Sequence, residues 1–160
     1  MTSQPFTTCL WFDGNAEAAA DFYLSVFKDG KLGRTGRYGE ANPGQAGEVM
    51  VVEFEINGQK FIGLNGGPQF PFTEAVSFQI HCADQAEADH YWEALTKNGG
   101  QESNCGWLKD KFGLSWQVVP TEALDLVSDP DPQRAARATE AMYTMKKLDV
   151  AAMRRAADGS

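Results

Sequence analysis

Four polar side chains between residues 77 and 117 fall at strand spacing, and each can make a directed hydrogen bond to a small molecule. Between Val76 and Cys82, Ser77, Gln79 and His81 alternate with apolar Val76, Phe78, Ile80 and Cys82. Further on, Ser115, Gln117 and Val119 alternate with Leu114, Trp116 and Val118. Successive side chains of a strand point to opposite faces, so a sheet that packs helices on one face turns the other set toward its open side. Ser77, Gln79, His81 and Gln117 are then expected inside a cup, joined by Asn65 from an earlier strand and by Trp107 near the mouth or wall. His81 is the imidazole of this set and its candidate general base. Spacing assigns it no partner carboxylate or nucleophile.

Other reactive residue types carry less. Cys9, Cys82 and Cys105 are odd in number and lack C-x-x-C spacing, the pattern of reduced thiols rather than of a disulfide framework or a zinc site. Cys105 becomes a nucleophile only where its surroundings lower its pKa. Trp11, Trp116, Phe12, Phe61, Phe70 and Phe72 serve either the core or an aromatic wall. Glu53 and Glu55 read as a solvated strand face. His90 lies on a helix and reads as surface.

The elements that must position these groups come as a repeated unit. Thr8–Phe12, then Asn15 as cap of a helix bearing Ala16, Ala19, Ala20, Tyr23 and Phe27, have a counterpart about seventy residues later. There a strand to Cys82 runs into Asp84 and Glu87, a capping-box-like start, and a helix bearing Ala88, Tyr91, Trp92 and Leu95. Strands are expected at Lys31–Tyr38, Val49–Ile56 and Lys60–Asn65, with Asn57-Gly58 as a hairpin turn. The second copy continues with Gln101–Cys105, Trp107–Asp110 and Leu114–Val119, and Pro120 closes the sheet. Each half thus reads as strand, helix and three strands, which predicts an α+β fold of two βαβββ modules around a shared cavity. One domain is expected over 1–160: modules at about 5–68 and 74–120, and a helical C-terminal extension at about 121–160. In that extension Asp131-Pro132 starts a helix, Asp149 caps another, and Ala138, Ala141, Met142, Met145 and Leu148 form an apolar stripe that needs a sheet or a second subunit to cover it.

A net charge of −8 argues against nucleic acid or an anionic membrane as partner, because phosphate contacts need clustered Lys and Arg. No apolar run approaches the roughly 20 residues of a membrane span. The Met1–Pro5 start lacks a signal-peptide pattern. A cytoplasmic location is the expectation.

Several stretches together resemble the vicinal-oxygen-chelate superfamily of glyoxalases, extradiol dioxygenases, and bleomycin and fosfomycin resistance proteins. These are Leu10–Glu17, Phe22-Tyr23, Arg37–Gly39, Asn57–Ile62, Leu64–Pro68, Cys105–Gly113 and Ser128–Pro132. Within it the chain resembles the PhnB-like branch labelled 3-demethylubiquinone-9 3-methyltransferase. Metal-dependent members hold an ion with His, Gln and Glu on paired modules; the resemblance puts Thr8, Gly63, Ser77 and Gln117 at those positions, a set unsuited to a metal. The register at Thr8 could slip by one residue. The label implies S-adenosylmethionine, yet Gly33-Arg34-Thr35-Gly36 opens no helix and repeated βαβ crossovers are missing. The resulting expectation is a cofactor-free, metal-free homodimer that binds a small, partly aromatic or apolar ligand through Thr8, Asn65, Ser77, Gln79, Trp107 and Gln117. The alternatives are an isomerase, lyase or transferase acting through His81, and an interaction protein acting through its tail.

Overall fold

Period-two patterning and one tight turn build the first sheet. The computed structural model describes residues 5–160, which divide between Pro71 and Phe72 into two units. The first contains β1 (Thr8–Phe12), α1 (Ala16–Val26), β2 (Gly30–Arg37), β3 (Val49–Ile56) and β4 (Gln59–Asn65). Its strand order is β1-β4-β3-β2, with β1 parallel to β4 and the other pairs antiparallel. Asn57 (φ 49°) and Gly58 (φ 80°) make the turn between β3 and β4, where positive φ is needed. Ala16, Ala19, Ala20, Tyr23 and Val26 of α1 are buried, as are Leu10, Phe12, Val52, Phe54 and Phe61 of the sheet. Tyr23 stacks on Phe54, and Phe54 on Phe61. At Gly63 a Cβ would stand 3.2 Å from the Cβ of Ala16, so the missing side chain lets α1 approach β4 closely.

The start of α1 departs from the sequence reading. Asn15 sits at the cap position but its side chain makes no capping bond. The Ala16 N–H instead donates to Oδ1 of Asn65, 2.9 Å away and forty-nine residues on. Nδ2 of Asn65 donates to the Val49 carbonyl (3.1 Å), and its own carbonyl accepts from the Tyr38 hydroxyl (2.6 Å).

The second unit repeats the plan: β5 (Ser77–Cys82), α2 (Gln85–Thr96), β6 (Gln101–Glu102), β7 (Trp107–Lys109) and β8 (Ser115–Pro120). The sheet order is β5-β8-β7-β6, again with the parallel pair first. Asp84 caps α2 by accepting from the Glu87 N–H, and Ala88, Tyr91, Trp92 and Leu95 are its buried stripe. The strand expected over Gln101–Cys105 stops at Glu102. Cys105 (φ 57°) and Gly106 (φ 84°) adopt left-handed conformations, and their N–H groups donate to the Met145 and Lys146 carbonyls, not to a neighbouring strand.

Those carbonyls belong to the tail, which carries α3 (Thr121–Val127), α4 (Pro132–Tyr143) and α5 (Val150–Asp158). The first of these opens the expected helical extension as a separate short helix: Pro120 ends β8 and at once serves as the N-cap residue of α3. Asp131 and Asp149 cap the other two as their spacing predicts. Ala138 and Leu148 are buried with Val119, Ala123, Leu126, Met153 and Ala157, and Met142 and Met145 pack against that cluster. The apolar stripe is therefore covered by its own unit, and the need for a second subunit to cover it disappears. Among the described residues no helix is long and apolar enough to cross a membrane.

Candidate functional site

The alternation along β5 and β8 sorts most side chains as the sequence pattern predicts, except that Val76 precedes β5 and is exposed and Ser115, on the polar parity, is fully buried. Ile80, Cys82, Trp116 and Val118 are buried, while Gln79 and His81 are exposed and Ser77 and Gln117 half-buried. In the parallel register Ser77 lies opposite Ser115, Gln79 opposite Gln117, and His81 opposite Val119. Gln117 ties the row together. Its Nε2 donates to Ser77 Oγ at 2.9 Å, and its Oε1 accepts from Gln79 Nε2 at 3.2 Å. Trp107 stands opposite Gln117 on the other side, so Trp107, Gln117 and Gln79 form one row across three strands. The pattern gives way at Val119, which is buried in the tail's cluster instead of facing the open side. His81, its exposed neighbour, ends the polar face.

The first unit contributes differently. Thr8 shares the parity of buried Leu10 and Phe12, and lies opposite Phe61; Gly63 lies opposite Leu10. Both therefore belong to the helix-packed face. Cys9, Trp11, Val51, Ile62 and Leu64 take the open side. Asn65, expected in the cup, has both ends of its amide engaged at the start of α1. Trp11 is pinned by a 2.8 Å bond from its indole N–H to the Gly67 carbonyl and meets Phe70 edge-on. Glu53 pairs with Arg34 (3.0 Å) and Glu55 with Lys31 (3.6 Å), as a solvated strand face would.

Asp110, which sequence reasoning passed over as a functional support, fixes the loop behind Trp107. It is buried, and its carboxylate accepts from the N–H groups of Phe112 (2.8 Å) and Leu114 (3.1 Å) and from the Trp116 indole (2.9 Å). Its signal in the sequence was the Asp-x-x-Gly spacing to Gly113, whose positive φ (87°) closes the turn. Burial works against nucleophilic chemistry at two of the thiols: it pushes Cys82 up to about 12 and also raises Cys9. Gly33–Gly36 lies within β2, and no helix follows it directly.

The family model for 3-demethylubiquinone-9 3-methyltransferase matches residues 4–119. The chain belongs to that family. It is 34% identical to the Bacillus cereus PhnB protein, which carries the same label, over 73% of this chain and 99% of that one, with a TM-score of 0.66. Two more distant structures share the fold. The protein PA1353 from Pseudomonas aeruginosa is 22% identical over 74% of this chain and 98% of its own (TM-score 0.59). The fosfomycin resistance protein FosX from Listeria monocytogenes is 17% identical over 72% and 89% (TM-score 0.50). No protein of curated function matches the chain. The family places it in the vicinal-oxygen-chelate superfamily. The matched stretch stops at Val119, so the Ser128–Pro132 motif and α3–α5 lie beyond it.

A metal, which the superfamily implies, finds no suitable donors here. Ser77 and Gln117 are neutral and bonded to each other, and Thr8 and Gly63 lie on the helix-packed face. Among the described residues no three His, Cys, Asp or Glu side chains come together as ligands. A hydroxyl and an amide without imidazole or carboxylate support do not hold a divalent ion.

Proposed function

We propose that this protein binds a small molecule on the open face of its second sheet, without a metal. The observation that carries this reading is the Ser77–Gln117–Gln79 chain beside Trp107: three mutually oriented polar groups next to an indole half-exposed on the same face. Such a combination suits ligands with a flat apolar body and a polar edge. Holding the side chains in place before a ligand arrives reduces the ordering cost of binding. Three free cysteines support a reducing compartment.

The test is a thermal-shift screen of a small-molecule library, run on the wild type and on Gln117→Leu. Compounds that stabilise the wild type are expected to lose about 1–3 kcal/mol of affinity in the variant, the cost of losing a hydrogen bond with a buried partner. The unliganded variant should melt close to the wild type. Equal stabilisation of both proteins by every compound would defeat the reading. The exposed ring of His81 at the end of the same row keeps a catalytic alternative specific. His81→Ala would then lower turnover of a bound compound by roughly a hundredfold or more, whereas a pure binder loses affinity modestly.

A further inference from the structure

At the β6–β7 side of this sheet lies a recess of about 130 Å³ with Glu74, Gln101, Glu102, Ser103, Lys109 and Ser115 as its polar lining and Trp107 and Leu108 as its apolar walls. Ser115 is 0% exposed, and its Oγ has no hydrogen-bond partner. A buried hydroxyl left unpaired destabilises the fold relative to an apolar group of similar shape, so its presence calls for a visiting partner. The strand register says what stands next to it. Gln101, Lys109, Ser115 and Ser77 form one row across the sheet, and Trp107, Gln117 and Gln79 form the next.

Hydrogen-bonding capacity then narrows the chemistry. The acceptors nearest Ser115 and the two carboxylates of the recess are engaged: Ser77 Oγ and Gln117 Oε1 by the amides described above, the Glu74 carboxylate by the Lys109 ammonium, and the Glu102 carboxylate by the Trp92 indole N–H (2.8 Å), with the Lys146 ammonium 3.9 Å from its other oxygen. Donors remain: the Ser115 hydroxyl, one N–H of Gln117 Nε2, and the Lys109 protons that Glu74 does not take. The Gln101 amide and the Ser103 hydroxyl can serve either way, so the Lys109 ammonium and the unpaired Ser115 hydroxyl beside an indole decide the chemistry, and they fit a ligand with an anionic end.

Resting on the binding reading above, we propose that this recess anchors the carboxylate of a flat organic acid. Ser115 and Lys109 hold the oxyanion, and the conjugated body lies along Trp107 toward Gln117. Glu74 acts as a resident stand-in for the ligand's carboxylate. Its side chain is 61% exposed, so it can release Lys109 and return to water when the acid enters. Lys109, at 34%, stays on the wall of the recess.

The experiment titrates benzoate, benzamide and benzylamine into the full chain, following indole fluorescence and the tryptophan indole N–H resonances. Benzoate is expected to bind about tenfold more tightly than benzamide, because a charge-assisted pair is stronger than a neutral one, and benzylamine more weakly than either. Lys109→Gln should erase the preference for acid over amide. Glu74→Gln should raise benzoate affinity by roughly three- to tenfold by removing the competing carboxylate. Ser115→Ala should weaken benzoate while leaving the melting temperature unchanged or higher, since it removes an unpaired buried hydroxyl. The proposal is overturned if benzamide equals benzoate, if Glu74→Gln weakens binding, if Ser115→Ala leaves binding intact, or if benzoate gives no shift at millimolar concentration. Should benzamide and benzoate bind equally and Gln117→Leu weaken both, the binding face stands and the anion anchor falls. If Gln117→Leu also fails to move any compound in the screen, both fall.

Discussion

The two units share one strand plan, and on their helix-packed faces they solve the same problem with the same means. Tyr23 on Phe54 in the first corresponds to Tyr91 and Trp92 buried against their own sheet in the second. On the faces turned away from their helices they part. The first sheet shows Cys9, Trp11, Val51, Ile62 and Leu64, with charges paired toward its outer strand; the second shows Ser77, Gln79, His81, Trp107, Lys109 and Gln117. Core packing ties the helix face to a narrow set of volumes in both copies. The other face answers to whatever meets it, so duplicated topology does not imply duplicated chemistry.

The largest effect that would sharpen this contrast is expected at Asp110, a support with no equivalent at the Asn57-Gly58 turn of the first unit. Asp110→Ala leaves the Phe112 and Leu114 N–H groups and the Trp116 indole without their acceptor. A loss of about 3 kcal/mol or more in the second unit should follow. Chemical denaturation followed by tryptophan fluorescence measures it, and a variant as stable as the wild type would remove Asp110 as the support of the Trp107 strand.

Helix capping gives the next largest difference. Asn65→Ala should cost about 1–2 kcal/mol, because it removes the acceptor for the Ala16 N–H and a second bond to Val49. Asn15→Ala should cost nearly nothing. In the second unit the cap is local, so Asp84→Ala alone should cost about 1 kcal/mol. Melting temperatures of the three variants rank them, and an Asn15 effect equal to that of Asn65 would break the contrast.

The smallest effect concerns pH. Bonds from Lys147 and Gln85 hold the Asp89 carboxyl below its ordinary range. A carboxyl with a depressed folded pKa contributes stability that is complete above its unfolded value and is lost as the pH falls through the folded one. The Asp89 side chain is about half exposed, so the contribution is about half a kcal/mol at most after solvent screening. Stability of the tail should decline slightly as the pH drops below about 4, and Asp89→Asn should remove that part of the decline. Circular dichroism of wild type and variant across that range measures the difference.

What the sequence made legible follows the range of the forces involved. Local signals carried furthest: the apolar stripes of α1 and α2, the Asn57-Gly58 turn, and the caps at Asp84, Asp131 and Asp149 all stand where periodicity and spacing place them. The polar face was legible for the same reason, since strand parity alone groups Ser77, Gln79 and Gln117. Errors came where distant residues compete with local ones. Asn65 is taken from the cup by a helix end forty-nine residues earlier in the chain. Thr8 stands one register position away from the open face because Leu10 and Phe12 are claimed by the core. For the tail's apolar stripe the sequence leaves open a sheet or a second subunit as its cover; Val119 of β8 together with α3 and α5 supplies it. Ser115 and Lys109 lay within patterns already noted, but only register showed them side by side.

The clamp between the tail and the turn before β7 also sets a timescale. A chain ending at Val119 would leave the N–H groups of Cys105 and Gly106 to water; here both are held by Met145 and Lys146. Gly106 is further confined, since a Cβ there would lie 3.0 Å from the Val118 carbonyl oxygen and 3.2 Å from Leu148. Deuterium uptake at those two amides therefore reports release of the helices, and the wall that carries Trp107 can breathe no faster than the tail lets go. Residues outside the family's shared stretch thus govern how often this wall opens.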